Sequence, residues 1–297
     1  MRIAVIGSNS FIARNFIYFI KESHPEINLD LYDFQDEHLD GFSKYKKINI
    51  LDKNLIDNID FNVDLLYLFA GKTGTLNGFN DYDSYIDINE KGLLNILSEY
   101  KKQSSTAKII FPSSRLVYKG LDRPLREDDE KEFKTIYAMN KFACEQYLSM
   151  YNSLYGIPYV VFRICVPYGS MIPNVTSYGT AEFMLKKALA GENISLYGQG
   201  EVRRTLVNIR DLCEVLYLGA ITKECLNDVY NIGGEDYSLY EMAKAISEKY
   251  NIGLECVQWP VEALKIESGS TVFNSEKLDK IIGYKYKNTF QQWIKEG

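Results

Sequence analysis

Short apolar runs alternate with helical repeats along the first 165 residues of the chain. The apolar runs cover residues 3–6, 29–32, 47–50, 64–69, 108–111 and 159–163, and their length is that of buried strands. The helical repeats cover residues 11–20, 85–97 and 137–155. Strands that alternate with helices predict a parallel sheet with right-handed crossovers, so we expect a doubly wound α/β fold here.

The pattern changes after residue 164. Pro167 and Pro173 predict a loop between this point and the next helical repeat. The later predicted elements are a helix over 180–189, strands over 195–197, 229–232 and 255–258, an apolar segment over 205–209, a helix capped by Asp211, a helix over 238–250 and two terminal helices. They interrupt the earlier alternation, which indicates a second lobe.

The sequence shows no internal repeat and no long linker between the two parts. We therefore predict a main domain over residues 1–164, with a return segment near 205–225. Residues 165–204 and 226–297 are predicted to form a smaller α/β lobe that is interleaved with the first.

The first predicted strand ends in a turn with the spacing of a dinucleotide-binding loop. Gly7 permits a tight turn, and Ser10 and Ala13 are small enough for a pyrophosphate to approach the backbone. The helix that follows offers amide groups and a positive dipole end to phosphate. Because the motif normally has three glycines, a purely structural turn is an equally good interpretation of this segment alone.

Asp33 ends the second predicted strand, where the adenosine ribose binds in folds of this type. A carboxylate there would accept both ribose hydroxyls of NAD and would repel the 2′-phosphate of NADP. The alternative is that Asp33 is only one member of an acidic loop, since Asp36 and Glu37 follow closely.

Small or polar residues follow several predicted strands. They are Gly7, Asp33, Ala70, Gly71 and Ser114. Parallel strands bring their carboxyl ends to one edge of the sheet, and ligands bind beyond that edge. We therefore expect these residues to border one cleft.

Tyr137 and Lys141 lie four positions apart in a predicted helix, so their side chains share a face. A nearby cation favours the ionised form of a phenol, which could then take a proton from a substrate hydroxyl. With 23 tyrosines in the chain, this spacing also arises by chance, as in Tyr240 and Lys244. Only the first pair follows a serine at a strand end, so we predict that the second pair is a surface coincidence.

The net charge of −6 disfavours nucleic acid as a partner. No apolar run reaches the ~18 residues of a membrane span, and the first residues lack the flanks of a signal peptide. Five scattered cysteines and only two histidines indicate a reducing compartment and no metal site. We therefore expect a cytoplasmic protein that binds neither membrane nor metal.

Three of the few arginines, Arg203, Arg204 and Arg210, lie in one short segment. Arginine binds phosphate bidentately, so the segment is interpreted as an anion site with Arg204 as the main contact. The alternative is a solvated loop whose arginines pair with Glu201 and Asp211.

These motifs, in this order, resemble the extended short-chain dehydrogenase/reductases of the nucleotide-sugar epimerase/dehydratase type, over nearly the whole chain. The segments that carry the resemblance are the Gly7 turn, Phe69–Gly71, Asn89, Ser113–Tyr118, Tyr137 with Lys141, Arg163–Gly169 and Gly198–Asp211. The resemblance implies a Rossmann-type fold, NAD as cofactor, a nucleotide-sugar substrate bound in the second lobe, and a homodimer.

The resemblance also implies roles for individual residues. Tyr137 would be the acid/base, Lys141 would bind the nicotinamide ribose and lower the tyrosine pKa, and Ser114 would hydrogen-bond the reacting oxygen. The residues expected to contact NAD are Gly7, Ser10, Phe11, Ile12, Asp33, Asn49, Ile50, Phe69, Ala70, Gly71, Asn89, Ser113, Tyr137 and Lys141. The residues expected to contact the substrate are Ser114, Tyr137, Val166, Arg204 and Lys265.

The chain departs from the family pattern at places that bear on its activity. Arg115 and Leu116 follow Ser114 where 4,6-dehydratases have an Asp-Glu pair, so dehydration is not expected. Val166 replaces a common substrate-binding Asn, and no arginine follows Arg210, so Lys265 is considered as a substitute.

The sequence therefore predicts an NAD-dependent nucleotide-sugar epimerase that acts at C4 of the sugar. Two alternatives are an NAD(P)H-dependent reductase of a 4-keto-6-deoxy nucleotide sugar and a dinucleotide-sensing protein without catalytic activity.

Overall fold

The computed structural model describes residues 1–177 and 179–296. Its strands are β1 (Arg2–Ile6), β2 (Asn28–Asp33), β3 (Tyr45–Lys47), β4 (Leu65–Leu68), β5 (Lys108–Ser114), β6 (Tyr159–Ile164), β7 (Val166–Tyr168), β8 (Ile194–Tyr197), β9 (Arg203–Asn208), β10 (Asp228–Asn231), β11 (Glu235–Ser238) and β12 (Leu254–Val257). Seven of them form one parallel sheet in the order β10-β6-β5-β4-β1-β2-β3. This is the predicted Rossmann-type sheet, in which the strand order reverses beside β1.

Helices cover both faces of the large sheet. The helices of the molecule are α1 (Phe11–Ser23), α2 (Lys53–Ile56), α3 (Asn77–Asn80), α4 (Tyr82–Ile86), α5 (Gly92–Lys102), α6 (Ile136–Tyr155), α7 (Thr180–Leu189), α8 (Ile209–Ile221), α9 (Leu239–Tyr250), α10 (Val261–Ile266), α11 (Glu276–Ile282) and α12 (Phe290–Glu296). One apolar core joins α1 and α8 to the sheet, and a second core on the opposite face includes residues of α5 and α6. The interior strands are mainly apolar because both of their faces are largely buried.

The remaining strands form two small sheets, β11-β9-β7 and β12-β8. They share a third apolar core with α7, α9 and α12. The chain enters this part after β6 and returns to the large sheet at β10, which pairs with β6. The strand Asp228–Asn231 thus belongs to the large sheet, although it lies in the segment that the sequence assigns to the second lobe.

Several predicted elements differ from those in the structure. The predicted third strand, 47–50, is wrong: β3 ends at Lys47, and Ile48 and Ile50 pack against the second core after the backbone has left the sheet. Strands β7 and β11 and a third C-terminal helix were not predicted.

The predicted helix cap at Asp211 is also wrong. Asn208 caps α8, and its side chain accepts a hydrogen bond from the Arg210 amide at 2.9 Å. Asp211 is buried and instead accepts hydrogen bonds from the Tyr284 hydroxyl at 2.7 Å and the Asn288 amide at 3.0 Å. These partners lie more than seventy residues away, so local sequence did not indicate them.

Candidate active site

The turn after β1 is held against the neighbouring strands. The amides of Gly7 and Ser8 donate to the Tyr32 carbonyl at 2.8 and 3.1 Å. Gly7 has φ +84°, and a Cβ at this position would lie 2.2 Å from the backbone nitrogen of Ala70. Position 7 therefore requires glycine, because the turn after β1 passes too close to the backbone after β4 to leave room for a side chain. The side chain of Ser10 makes no capping hydrogen bond at the start of α1.

Asp33 links this turn to the loop after β2. Its carboxylate accepts hydrogen bonds from the amide of Asn9 at 2.9 Å and from that of Phe34 at 2.7 Å. The Asn9 side chain donates in turn to Gln35 Oε1 at 2.9 Å. Asp33 therefore has a structural role in shaping the turn, in addition to any contact with a ligand.

A cavity of about 430 Å³ lies at the carboxyl edge of the sheet, beside the switch in strand order. Eight residues predicted to bind NAD line it: Gly7, Ser10, Asp33, Asn49, Ile50, Phe69, Ala70 and Gly71. The lining residues that the prediction omitted are Ile6, Asn9, Phe34, Gln35, Ile48, Leu51, Lys72 and Ile88. Many of these adjoin predicted residues in the chain, so extending each strand-end motif by one or two positions would have found them.

The cavity fits the adenosine half of a dinucleotide. It combines a glycine turn at a helix N-terminus, where phosphate binds, with a carboxylate at the end of the second strand, where ribose hydroxyls bind. The other predicted cofactor residues do not line this cavity. Phe11 is buried in the first core and Ile12 packs against it.

Asn89 is buried in a single π-helical turn, Asp87–Lys91, between α4 and α5. Its side-chain oxygen accepts the Lys72 amide at 2.7 Å, and its side-chain nitrogen donates to the Lys72 carbonyl at 3.1 Å. A Cβ at Gly71 would lie 3.0 Å from the same oxygen. Asn89 thus fixes the segment that forms one wall of the cavity.

Ser113 is buried and donates a hydrogen bond to Glu145 Oε1 at 2.5 Å. Both Glu145 oxygens also bind Arg163, at 3.0 Å to Nε and 2.6 Å to a terminal nitrogen. Arg163 donates further to the Tyr118 hydroxyl at 2.6 Å. The Ser113 side chain therefore belongs to a buried network that joins β5, β6 and α6.

The three predicted catalytic residues lie together at the end of β5 and the start of α6. Thr135 caps α6 by accepting a hydrogen bond from the Ala138 amide at 3.1 Å, which places Tyr137 in the first turn. The Ser114 side chain lies near enough to the Tyr137 phenol to act on its pKa. The Lys141 ammonium lies 5.9 Å from the centre of the Tyr137 ring and donates to the Pro112 carbonyl at 2.7 Å.

Burial controls how this group titrates in the protein alone. It raises the pKa of Tyr137 to about 12, against the lowering effects of the nearby Ser114 hydroxyl and the Arg115 charge. Burial also lowers the pKa of Lys141 to about 8. The prediction that Lys141 brings the tyrosine pKa below its usual value is therefore wrong for the protein alone. A further positive charge, such as that of an oxidised nicotinamide, acts in the lowering direction.

The second tyrosine–lysine pair lies on the surface. Tyr240 is 42% exposed on α9, and Lys244 forms an ion pair with Glu248 at 3.8 Å. A serine does end the preceding strand, since Ser238 closes β11 and caps α9, so the expectation that no strand-end serine precedes this pair is wrong. The prediction that this pair is a coincidence agrees with its position.

The predicted substrate residues are not equivalent in the structure. Val166 is buried in the core of the second lobe, and Lys265 is exposed on α10. Arg204 is buried, and its guanidinium donates to Glu267 at 2.6 Å and to the Gly269 carbonyl at 2.6 Å. Protein groups already bind Arg204 in the protein alone, and its contact with a substrate diphosphate stays a prediction.

The other two arginines of the predicted anion site are also paired. Arg203 binds Asp236 at 2.8 Å, and Arg210 binds Glu22 at 2.7 Å. The alternative interpretation, in which the arginines pair with acidic residues, is therefore the better one, although the partners are not those that the sequence suggested.

In the described part of the chain, we find no helix with the length and apolar character of a bilayer span.

A dinucleotide-type cavity next to a Ser-Tyr-Lys group defines the class of a Rossmann-fold enzyme that uses a nicotinamide cofactor. Residues 3–233 match the NAD dependent epimerase/dehydratase family. The chain belongs to this family, and the predicted cofactor, NAD, is confirmed.

Similar proteins cover most of the chain. The UDP-N-acetyl-alpha-D-glucosaminuronate decarboxylase of Bacillus cytotoxicus is 25% identical over 311 residues, which are 99% of this chain and 96% of that protein. The CDP-paratose 2-epimerase of Salmonella typhi is 25% identical over 236 residues, 71% of this chain and 69% of that protein. The crystal structure of the UDP-glucose 4-epimerase of Thermus thermophilus in complex with NAD superposes with a TM-score of 0.84 at 22% identity, covering 99% and 96% of the two chains, which confirms the fold.

Proposed function

We propose that the protein is an NAD-dependent nucleoside-diphosphate-sugar epimerase that transiently oxidises a sugar hydroxyl at C4. The observation that carries the proposal is the grouping of Ser114 and Lys141 around the Tyr137 side chain. Because the matched relatives include both epimerases and a decarboxylase, membership of the family sets the cofactor but not the reaction.

Tyr137 would take the proton of the sugar hydroxyl and later return it. Ser114 would hydrogen-bond the same oxygen and hold it near the phenol. Lys141 would donate to a ribose hydroxyl of the cofactor and contribute positive charge beside the phenol. NAD, when bound, supplies a hydride acceptor that can return the hydride to either face of the keto sugar.

The residues after Ser114 favour epimerisation over dehydration. Water elimination needs a general acid and a general base near the sugar, and here Arg115 and Leu116 occupy those positions. Neither side chain can perform that proton transfer at neutral pH, since a guanidinium stays protonated and leucine has no proton to exchange.

The test begins with mass spectrometry of ligands released from the purified protein, followed by a screen of UDP-, GDP-, CDP- and dTDP-sugars. We expect NAD in the protein as isolated and conversion of one sugar into its epimer without added cofactor. Replacing Tyr137 by phenylalanine should reduce turnover by about a hundredfold or more while NAD remains bound. Tyr240→Phe is the matched control and should leave turnover unchanged.

Other results would assign a different reaction. Consumption of one NAD(P)H for each product would make the protein a reductase of a keto nucleotide sugar. NAD binding without turnover of any sugar nucleotide would support a dinucleotide-sensing protein. Near-normal turnover by Tyr137→Phe would remove Tyr137 from the mechanism.

We also propose that the protein is a homodimer that associates through α4 and α6. Exposed apolar side chains lie on both helices, which pack side by side: Tyr82 and Ile86 on α4, and Met139, Met150 and Leu154 on α6. Light scattering coupled to size exclusion should give twice the chain mass. The Leu154→Lys variant should give the monomer mass, and a monomeric unmodified protein would refute this proposal.

A further inference from the structure

Arg115 differs from the other arginines in its surroundings. Seven of the nine arginines lie within ion-pairing distance of a carboxylate: Arg2, Arg14, Arg123, Arg163, Arg203, Arg204 and Arg210. Over residues 1–177 and 179–296, Arg115 and Arg126 have no such partner. Arg126 is exposed to solvent, whereas Arg115 is partly buried.

Among the residues that the structure describes, the groups that hold the Arg115 guanidinium are neutral. One of its terminal nitrogens donates to Ser268 Oγ and to Thr271 Oγ1, both at 3.4 Å. These distances are at the long end for hydrogen bonds. The guanidinium of Arg204, in contrast, makes hydrogen bonds of 2.6 to 2.9 Å. A guanidinium that is withdrawn from water and weakly held has capacity for an anion.

The nearest acidic group is already in use. Glu267 Oε1 accepts hydrogen bonds from Arg204 at 2.6 Å and from the Gly269 amide at 2.9 Å. Arg204 also acts on Arg115: burial and the Arg204 charge together lower the pKa of Arg115 to about 10. At neutral pH, Arg115 still carries a full positive charge, and the cluster around residues 267–271 holds two guanidinium groups against one carboxylate.

Arg115 directly follows Ser114 in the chain, at the end of β5 and beside the Tyr137 phenol. The Arg115 charge acts on that phenol, so the guanidinium lies near the pair of residues at which the proposed reaction would occur. We propose that Arg115 binds a carboxylate on the sugar, so that the substrate is the nucleoside-diphosphate derivative of a uronic acid. This inference rests on the proposed function, because it assumes a sugar nucleotide at the Ser114–Tyr137 pair.

The test compares matched pairs of sugar nucleotides that differ in one carboxylate. UDP-glucose is compared with UDP-glucuronate, UDP-N-acetylglucosamine with its uronate, and GDP-mannose with GDP-mannuronate, by titration calorimetry on the NAD-loaded protein. For at least one pair, the uronate should bind about tenfold to a hundredfold more tightly than the neutral sugar. Arg115→Gln should abolish this preference. Arg115→Lys should retain part of it, because an ammonium keeps the positive charge but cannot make the two parallel hydrogen bonds of a guanidinium.

Controls separate the carboxylate from other causes. Arg126→Gln, which removes the exposed unpaired arginine, should bind both members of each pair like the unmodified protein. The thermal melting and NAD content of each variant show whether it has folded. UDP and GDP alone should bind Arg115→Gln as well as they bind the unmodified protein.

Three outcomes would overturn the inference. Equal affinity of the unmodified protein for both members of every pair would show that no carboxylate is recognised. An equal loss of UDP and UDP-glucuronate affinity in Arg115→Gln would assign the arginine to the diphosphate. If no sugar nucleotide binds at all, the proposed function itself fails. If neutral sugar nucleotides bind and are turned over, but the matching uronates bind no more tightly, only the role of Arg115 is refuted.

Discussion

Replacing Glu145 by glutamine would leave a buried guanidinium without its counter-charge. The Glu145 and Arg163 side chains are 1% and 4% exposed, and two hydrogen bonds join them. Removing one partner of a buried ion pair costs about 3–5 kcal/mol. At roughly 2 °C or more per kcal/mol for a large domain, the melting temperature of Glu145→Gln should fall by at least about 6 °C.

Differential scanning calorimetry at pH 7 would measure this effect, with two further variants as controls. Glu276→Gln makes the same chemical change in an exposed pair with Lys280, and its melting temperature should not change. The double variant Glu145→Met, Arg163→Met removes both charges and should recover much of the loss, because an apolar pair leaves no uncompensated charge. If Glu145→Gln and Glu276→Gln have the same melting temperature, the buried ion pair does not hold β5, β6 and α6 together.

Three further predictions concern the cofactor site. Asp33→Asn should narrow the preference for NAD over NADP, since the carboxylate that repels the 2′-phosphate is gone; equal affinity of the unmodified protein for both cofactors would contradict this. Turnover should rise with pH and level off above about pH 8, because loss of the Lys141 proton there offsets the growing ionised fraction of the Tyr137 phenol, whose pKa is higher; Lys141→Arg should extend the rising limb to higher pH in a pH–rate profile. Gly7→Ala should lower both the NAD content and the melting temperature by more than Gly41→Ala does. Both glycines have positive φ, but of the two only Gly7 would bring a Cβ against backbone atoms. Equal losses in the two variants would show that the close contact is unimportant.

Local sequence was sufficient where short-range chemistry determines the structure. Apolar runs identified six strands of the large sheet, although one of them was misplaced, and the small or polar residues at their ends identified the cavity. The helix of Tyr137 begins and ends next to residues that suit a cap and a C-terminal turn, Thr135 and Gly156. Each of these features depends on neighbours within a few positions, which periodicity and turn chemistry capture.

The errors occurred where a residue's partner lies far along the chain. Arg204 looked free for a ligand because Glu267, its partner, is 63 positions away. The hydrogen bond of Ser113 to Glu145, 32 positions beyond it, was missed for the same reason, and the contact of Ser113 with the cofactor stays a prediction. A sequence pattern shows which side chains can bind an anion or a hydroxyl, but the tertiary fold decides whether the protein itself already occupies them.

The position of β10 in the large sheet has a consequence for the synthesis of the protein. A ribosome makes β6 about sixty residues before it makes β10, which covers the free edge of β6. All six residues of β6 are buried in the finished molecule, so until then an apolar strand with open hydrogen-bonding groups is exposed. Such an edge invites pairing with other nascent chains. The edge of β6 therefore stays open until β10 has been translated, which is after β7, β8 and β9 of the small sheets, so the large sheet cannot be completed before most of the second lobe has been made.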